Sequence, residues 1–203
     1  PSSVAFDEHS PITPGSPYGE SKLTLERALP WIERAHNVRY AILRYFNAAG
    51  ATEELGEDHR PETHLIPLVL QVAAGQRFRI QVYGDDYPTP DGTCVRDYIH
   101  VSDIAQAHLL VLDKLNVESC LFHLGSGTGA TVLEVIQAAR EVTGHTIRTE
   151  VTARRPGDVP FLLASSERIR NELGWRPDTS SLKLIIRSAW EWMQRNPRGY
   201  DHR

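Results

Sequence analysis

The chain has 203 residues, enough for one complete domain or one and a half. Its 22 Lys and Arg residues against 26 Asp and Glu give a formal charge of −4, which argues against binding to nucleic acid or another polyanion. Apolar residues at 40% and charged residues at 24% exclude a disordered chain. No run approaches the ~18 to 20 apolar residues of a membrane span, and the first residues lack the regions of a signal peptide.

We therefore expect a cytoplasmic globular protein without a membrane segment. Cys94 and Cys120 belong to no CxxC motif and no Cys/His cluster, so the sequence predicts neither a metal site nor a disulfide framework. Both cysteines are predicted to be buried thiols.

The first third of the chain predicts a loop, a helix and a buried strand. Residues 1–17 contain four prolines and form a loop, after which Ser16 caps a helix that begins at Pro17. Pro30 lacks an N–H and clashes with the preceding turn, so we expect a kink or a break near Leu29. The strand covers residues 39–46, with the composition of a strand buried on both faces of a parallel sheet. The helix has one apolar face, formed by Leu25, Ala28, Leu29 and Ile32.

Helices and strands continue to alternate after a long loop over residues 47–64. Strands are predicted for residues 79–83, 121–124 and 147–151. Helices are predicted for residues 65–74, 102–115, 165–173 and 182–194, with Ser102 as the N-cap of the second. A further helix is predicted to begin at the capping box of Thr131 and Glu134 and to end at Gly144. This alternation is typical of the α/β class with a largely parallel sheet.

Tyr18 and Lys22 are four residues apart on the first helix and therefore share a face. A phenol is a poor base at neutral pH, but a fixed ammonium group stabilises the phenolate. Such a pair can move a proton on or off a hydroxyl group. On chemistry alone, a solvated surface pair is the favoured interpretation.

Six segments give this pair a context, namely SPYGESKLTLE, LRYFNAAGA, HLIPLVLQVA, YGDDYPTPDGTCVRDYIHVSDIA, LGSGTGATV and ARRPGD. In this order and spacing they resemble the UDP-glucose 4-epimerase (UDP-galactose 4-epimerase) family of extended short-chain dehydrogenase/reductases. The resemblance implies the C-terminal part of a Rossmann-type fold plus a small α/β substrate domain. Residues 1–47 would complete the dinucleotide-binding domain. Residues 48–203 would bind the UDP-sugar, with about 95–125 returning to the dinucleotide-binding sheet.

The resemblance also implies an isomerase of galactose metabolism, in which NAD takes a hydride from C4 of the sugar and returns it to the opposite face. Tyr18 would act as the base that takes the proton from the 4-hydroxyl group and as the acid that returns it. Lys22 would stabilise the tyrosinate and donate a hydrogen bond to the nicotinamide ribose. Phe46 would line the nicotinamide end of the cleft. The family's serine or threonine partner of the tyrosine falls before Pro1.

The substrate contacts follow from the same resemblance. Arg96 and Arg155 match the family's pyrophosphate arginines, a role that suits the planar guanidinium group, and Asn47 would also reach the phosphates. Asp158 would bind the uridine ribose. Further contacts are implied for His64, Leu65, Gln81, Tyr83, Tyr98 and Leu162. His64 stands where many members have Asn, and Leu162 stands where a bulky aromatic narrows the sugar pocket.

Several of these residues also have a structural interpretation. Arg96 could pair with the neighbouring Asp97 at the surface, and Arg154 is interpreted as part of a solvated edge. The GSGTG run lacks the Lys-Ser/Thr of a P-loop and is interpreted as a turn. Turn chemistry accounts for Asp85, Asp86 and Asp91 without a metal, and packing accounts for His100, His108, Trp190 and Trp192.

The sequence lacks the GxxGxxG turn that opens a dinucleotide-binding fold of this type. We therefore expect an epimerase portion that is inactive alone, needs its missing N-terminal half and forms a homodimer when complete. A non-catalytic UDP-sugar-binding fragment is the alternative. Within the enzyme class, the alternative is a nucleotide-sugar 4,6-dehydratase or decarboxylase.

Overall fold

A computed structural model describes residues 5–200 and confirms the alternation of helices and strands. The helices are α1 (Pro17–His36), α2 (Leu65–Ala73), α3 (Val101–Lys114), α4 (Val132–Thr143), α5 (Glu167–Leu173) and α6 (Leu182–Arg195). The strands are β1 (Ala41–Tyr45), β2 (Asn47–Ala49), β3 (Ile80–Tyr83), β4 (Val95–Arg96), β5 (Tyr98–His100), β6 (Cys120–Leu124), β7 (Ala130–Thr131), β8 (Thr149–Thr152) and β9 (Phe161–Leu162). Predictions for residues 1–4 and 201–203 lie outside the described range.

Strand pairing is mostly parallel, as predicted. β1 pairs with β6, β2 with β5 and β3 with β8, all in parallel. β4 lies between β9, to which it is parallel, and β7, to which it is antiparallel. Since parallel strands require crossover connections, helices cover the strands and the class is α/β. Within residues 5–200, no helix is both long and apolar enough to cross a bilayer.

Two hydrophobic cores hold these elements together. The larger packs α2, α4 and α6 around β3, with Leu70, Ile136 and Ile185 fully buried. The smaller joins β6 to α3 and α5 around Phe122 and Trp175, whose indole N–H donates to the Asp103 carbonyl at 2.9 Å. The burial predicted for Cys94, Cys120, Trp190 and Trp192 is confirmed.

Of the kink or break predicted near Leu29, the break is wrong, because α1 runs through Pro30 to His36. Proline removes one backbone hydrogen bond, but contacts on both sides of it hold the helix in place. Glu26 forms an ion pair with Arg44 of β1, and Glu33 accepts a hydrogen bond from Ser119. The helix ends instead at Asn37, which adopts a left-handed conformation with φ of 53°.

The apolar face predicted for α1 is only partly covered. Leu25 and Ile32 are 58% and 40% exposed, whereas Leu23, outside the predicted set, is the buried residue of this helix. Helical periodicity identifies an apolar face but not its partner. Within residues 5–200, this face lacks a covering element over Leu25 and Ile32.

Local capping signals are largely confirmed. Ser16 accepts from the Gly19 N–H at 3.1 Å, and the capping box of Thr131 and Glu134 is complete. The N-cap of α3 is His100 rather than Ser102, since the His100 Nδ1 accepts from the Ser102 N–H at 3.1 Å. His100 is buried and also contacts Ser188, so its structural interpretation is confirmed.

Asp97 lies between β4 and β5, and its side chain is only 1% exposed. The carboxylate accepts hydrogen bonds from the Ser126 N–H at 2.8 Å, the Ser126 hydroxyl at 2.6 Å, and the Gly127 and Ala164 N–H groups at 3.2 Å each. A Cβ on Gly125 would lie 2.4 Å from this carboxylate. The GSGTG turn is thus built around Asp97, which explains its glycine at position 125.

We predict that Asp97→Asn destabilises the fold by about 2–3 kcal/mol, because the new amide N–H₂ faces donors and leaves buried groups unpaired. Urea denaturation of the 203-residue chain measures the change. Asp113→Asn, at an exposed position of α3, is the matched control and should stay within about 0.5 kcal/mol of the parent. Equal stability of the two variants would contradict the role assigned to Asp97.

Candidate active site

A cleft of ≈ 980 Å³ opens where β1 and β2 end and where α2 and α3 begin. Ligand sites of open parallel sheets lie at the carboxyl ends of the strands, so this is the expected place for one. Six predicted site residues line the cleft, namely Tyr18, Phe46, Asn47, His64, Leu65 and Tyr98.

Tyr18 lies at the mouth of this cleft, in the first turn of α1. Its side chain is 72% exposed, and the Lys22 Nζ lies 5.1 Å from the centroid of the Tyr18 ring. The shared face predicted from the four-residue spacing is therefore present. Capping by Ser16 fixes the helix start, and with it the position of Tyr18.

Asn47 and Tyr98 form the inner wall. The Asn47 Nδ2 donates to the Asp97 carbonyl at 2.8 Å, which sets the orientation of the side-chain amide. Burial raises the pKa of the Tyr98 phenol, so this group stays protonated at neutral pH and can donate a hydrogen bond. Phe46 is half-buried, with its ring centroid 6.3 Å from that of His123.

His64 lies on the lip of the cleft, at the N-cap position of α2. Its side chain makes no capping bond to α2. Its Nδ1 lies 2.5 Å from the Glu57 Oε1 and 3.3 Å from the Glu62 Oε1. The imidazole of the free chain is thus held by two carboxylates, a contact that the sequence analysis did not include.

A second group collects predicted residues that do not line this cleft. The Arg155 guanidinium lies 3.8 Å from the Tyr83 ring centroid, and the Tyr83 hydroxyl donates to the Gln81 side chain at 2.8 Å. Arg96 pairs with Asp158 at 3.2 Å, and Leu162 lies opposite Arg96 in the β4–β9 pairing. The group comprises Gln81, Tyr83, Arg96, Arg155, Asp158 and Leu162.

The two groups adjoin through three consecutive residues. Arg96 belongs to the second group, Tyr98 lines the cleft, and the buried Asp97 lies between them. The anchoring of Asp97 therefore fixes both neighbours at once. The alternative pairing of Arg96 with Asp97 is wrong, because that carboxylate is taken up by the GSGTG turn and Ala164.

Arg154 has a structural role of its own. Its Nε donates to the Asp86 carboxylate at 2.7 Å, and its guanidinium lies 4.1 Å from the Tyr87 ring centroid. The hydrogen bond from Arg154 lowers the pKa of the Asp86 carboxyl. A structural role is confirmed, although the residue forms an ion pair and is not simply solvated.

Four polar residues line the cleft without having been predicted as site residues, namely Thr52, Glu57, Ser102 and Gln106. Burial raises the pKa of the Glu57 carboxyl, and the nearby Glu62 raises it further. The signal that could have identified Glu57 is the spacing Glu-x-His-x-x-Glu-x-His over residues 57–64.

Comparison with known proteins places this geometry in a family. Residues 1–122 match the profile described as the NAD dependent epimerase/dehydratase family. The match covers more than half of the chain, and the chain belongs to this family. The resemblance inferred from the motifs is confirmed.

Individual relatives narrow the comparison to one type of enzyme within this family. A UDP-glucose 4-epimerase of Streptococcus mutans is 50% identical over 207 aligned residues, which cover 100% of this chain and 62% of that protein. A crystal structure of UDP-glucose 4-epimerase superposes with a TM-score of 0.94 at 52% identity, over 98% of this chain and 61% of the other. The chain thus spans about three-fifths of the relatives it matches.

A third relative carries ligands. The UDP-glucose 4-epimerase of Bifidobacterium longum, solved in complex with NAD⁺ and UDP, has a TM-score of 0.89 at 41% identity, over 97% of this chain and 60% of that one. The predicted fold class, a part of a Rossmann-type short-chain dehydrogenase/reductase, is confirmed by these superpositions.

Proposed function

We propose that this chain carries the proton-transfer and UDP-sugar-binding parts of an NAD-dependent UDP-glucose 4-epimerase. The observation that carries the proposal is the Tyr18–Lys22 pair at the mouth of a cleft whose inner wall adjoins the Arg96 and Arg155 group. The names of the relatives, and the NAD⁺ and UDP bound in one of them, support it.

The residues on the cleft fit the nicotinamide end of NAD. The Phe46 ring offers an apolar surface, the Tyr18 hydroxyl lies at the mouth, and the Lys22 ammonium can donate to a ribose hydroxyl. When bound, NAD supplies the acceptor and donor of the hydride at C4 of the sugar. The 203 residues contain no GxxGxxG turn for its pyrophosphate, so they account for one end of the cofactor only.

Tyr18 is proposed to take the proton from the 4-hydroxyl group and to return it after the sugar has turned over. A phenolate is needed for the first step and a phenol for the second. Lys22 stabilises the phenolate by its charge, because its ammonium lies within one helical turn of the phenol.

Arg155 is prepared for an anionic ligand. One face of its guanidinium packs on Tyr83, and that contact leaves the in-plane N–H donors available. Arg96 is paired with Asp158 at 3.2 Å in the free chain. We expect the UDP pyrophosphate to replace Asp158 on Arg96, so that Asp158 is released toward the uridine ribose hydroxyls.

The other contacts are proposed from the same resemblance. Asn47 would reach the phosphates, His64 and Tyr98 would donate to the nucleotide sugar, and Leu65 and Gln81 would lie near the uracil. The parallel pairing of β1 with β6 supports a division at residue 47, with about 95–125 returning to the dinucleotide-binding sheet. The complete enzyme is proposed to be a cytoplasmic homodimer.

A non-catalytic UDP-sugar-binding fragment is the second candidate. The specific observation in its favour is the missing glycine-rich turn, because without it the chain lacks most of a dinucleotide site. The two candidates differ in whether turnover returns when the missing part is supplied.

Complementation is therefore the test of the proposed function. We expect the chain, mixed with the part of the Streptococcus mutans relative that it does not cover, to convert UDP-galactose to UDP-glucose in the presence of NAD. Tyr18→Phe should lower kcat by about 10² to 10⁴, the usual share of acid–base catalysis. Tyr40→Phe, outside the cleft lining, is the control. Absence of turnover and of any nicotinamide spectral change would favour the fragment.

Arg155→Ala should raise the Kd for UDP by about 10- to 100-fold, because a charged hydrogen bond contributes roughly 1.5–3 kcal/mol. Isothermal titration calorimetry of the chain with UDP measures it. Arg154→Ala is the matched control, since that guanidinium is already engaged by Asp86. Equal effects of the two substitutions would contradict the assignment of the phosphate arginines.

Leu162 predicts a sugar pocket that tolerates an N-acetyl group. We expect the complemented enzyme to use UDP-N-acetylgalactosamine with a kcat/KM less than about 10⁴-fold below that for UDP-galactose. Steady-state kinetics with both substrates measures this ratio. A larger ratio would mean that another residue closes the pocket.

A further inference from the structure

Four potential metal ligands converge in the loop that precedes α2. They are Glu57, His59, Glu62 and His64, and one ligand atom from each lies within 4.8 Å of all the others. The sequence patterns predict no metal, because the cysteines belong to no metal-binding motif and turn chemistry accounts for the acidic residues at 85–91. Of the four residues, the motifs include His64 alone, and the proposed roles give none of them a metal to bind.

The two separations that involve Glu62 are close to those between ligands of one metal ion, whereas the His64–Glu57 contact is a hydrogen bond. The His64 Nδ1 lies 2.5 Å from the Glu57 Oε1 and 3.3 Å from the Glu62 Oε1, and the His59 Nδ1 lies 3.7 Å from the Glu62 Oε1. Ligand atoms about 2.0–2.1 Å from a tetrahedral zinc ion lie about 3.3 Å from each other. Side-chain shifts of up to about 1.5 Å, the difference between 4.8 Å and that spacing, would bring the four ligand atoms to it.

Glu62 forms a fixed centre for the cluster. Its side chain is only 8% exposed, and its Oε1 accepts the N–H groups of Thr63 and His64 at 2.7 Å each. A carboxylate has about four acceptor positions, two on each oxygen, so these bonds to Oε1 leave the positions of Oε2 for a cation. The His59 and His64 rings contact each other, with centroids 5.2 Å apart.

The charge balance also favours a cation. With neutral imidazoles, the cluster carries the two negative charges of Glu57 and Glu62. The two carboxylates belong to one cluster whose ligand atoms lie within 4.8 Å of one another, so a cation between them would offset their mutual repulsion. Arg60, the cation within the loop, donates instead to Asp58 and to the Arg198 carbonyl.

A second, independent feature lies beside the cluster. Trp192 is 4% exposed, and its indole N–H has no acceptor within residues 5–200. Together with Glu57, His59 and Glu62 it lines a cavity of ≈ 310 Å³. A buried donor without an acceptor costs about 1–3 kcal/mol, and a water molecule on a bound cation would provide one.

We propose that Glu57, His59, Glu62 and His64 bind a divalent transition-metal cation, with zinc as the best match. Imidazole and carboxylate ligands in a four-membered set are typical of zinc, whereas magnesium prefers an all-oxygen octahedral site. Glu57 and His64 also line the large cleft, so the ion would lie on its lip. The inference is independent of the proposed epimerase activity, because it needs neither NAD nor UDP.

The test is calorimetric titration of the metal-free 203-residue chain with ZnCl₂, without nucleotide. We expect one strong site per chain with a Kd of about 10 μM or lower, and no binding of Mg²⁺ at the same concentrations. His59→Ala and Glu62→Gln each remove one ligand and should raise the Kd for Zn²⁺ by about 10-fold or more. A 10-fold change in Kd corresponds to about 1.4 kcal/mol of binding free energy. Neither residue lines the large cleft.

His36→Ala, which removes an exposed histidine at the end of α1, is the matched control and should leave zinc binding unchanged. An assay on the unmodified chain removes any dependence on how the variants fold. On saturation with Zn²⁺, the imidazole NMR signals of His59 and His64 should shift together, while the His36 signals should not. Failure to bind Zn²⁺, or equal binding by the parent and His59→Ala, would overturn the proposal.

Discussion

The buried carboxylate of Asp97 is the contact on which both parts of the site depend. Burial of a charge is costly unless donors surround it, and Asp97 is provided with three backbone N–H groups and one hydroxyl. These donors come from the GSGTG turn and from the segment after β9, while its carbonyl accepts from Asn47 of β2. One residue thus joins the strands that carry Arg96, Tyr98 and Asn47.

Sequence patterns predicted those features that depend on neighbours in the chain. The cap at Ser16 and the capping box at Thr131 are confirmed because donor and acceptor are three residues apart. The break at Pro30 is wrong because the contacts that hold α1 come from distant segments, with Arg44 on one side of the proline and Ser119 on the other. Propensity rules take no account of such tertiary contacts.

The candidate site shows the same difference between local contacts, which the sequence predicts, and long-range contacts, which it does not. Motifs identified Arg96, Arg155 and Asp158, but spacing alone could not indicate that Arg96 pairs with Asp158, since they are 62 residues apart. The histidine–glutamate cluster is the opposite case, because its four members lie within eight residues. They lie in a loop, where no helical or strand period converts spacing into distance, so their convergence became visible only with the fold.

The two proposed binding sites on this surface differ in the charge of their side chains. Arg155 stacks on Tyr83, and within the described part of the chain no carboxylate lies within ion-pair distance of it. A cation–π contact at an exposed site contributes about 0.5–1 kcal/mol, less than the roughly 1.5–3 kcal/mol of a charged hydrogen bond. The proposed phosphate contact would use the in-plane N–H donors of Arg155, so it would add to the stacking on Tyr83. At the lip, Glu57 and Glu62 lie beside His59 and His64, so the proposed anion site and the proposed metal site are at different ends of this surface.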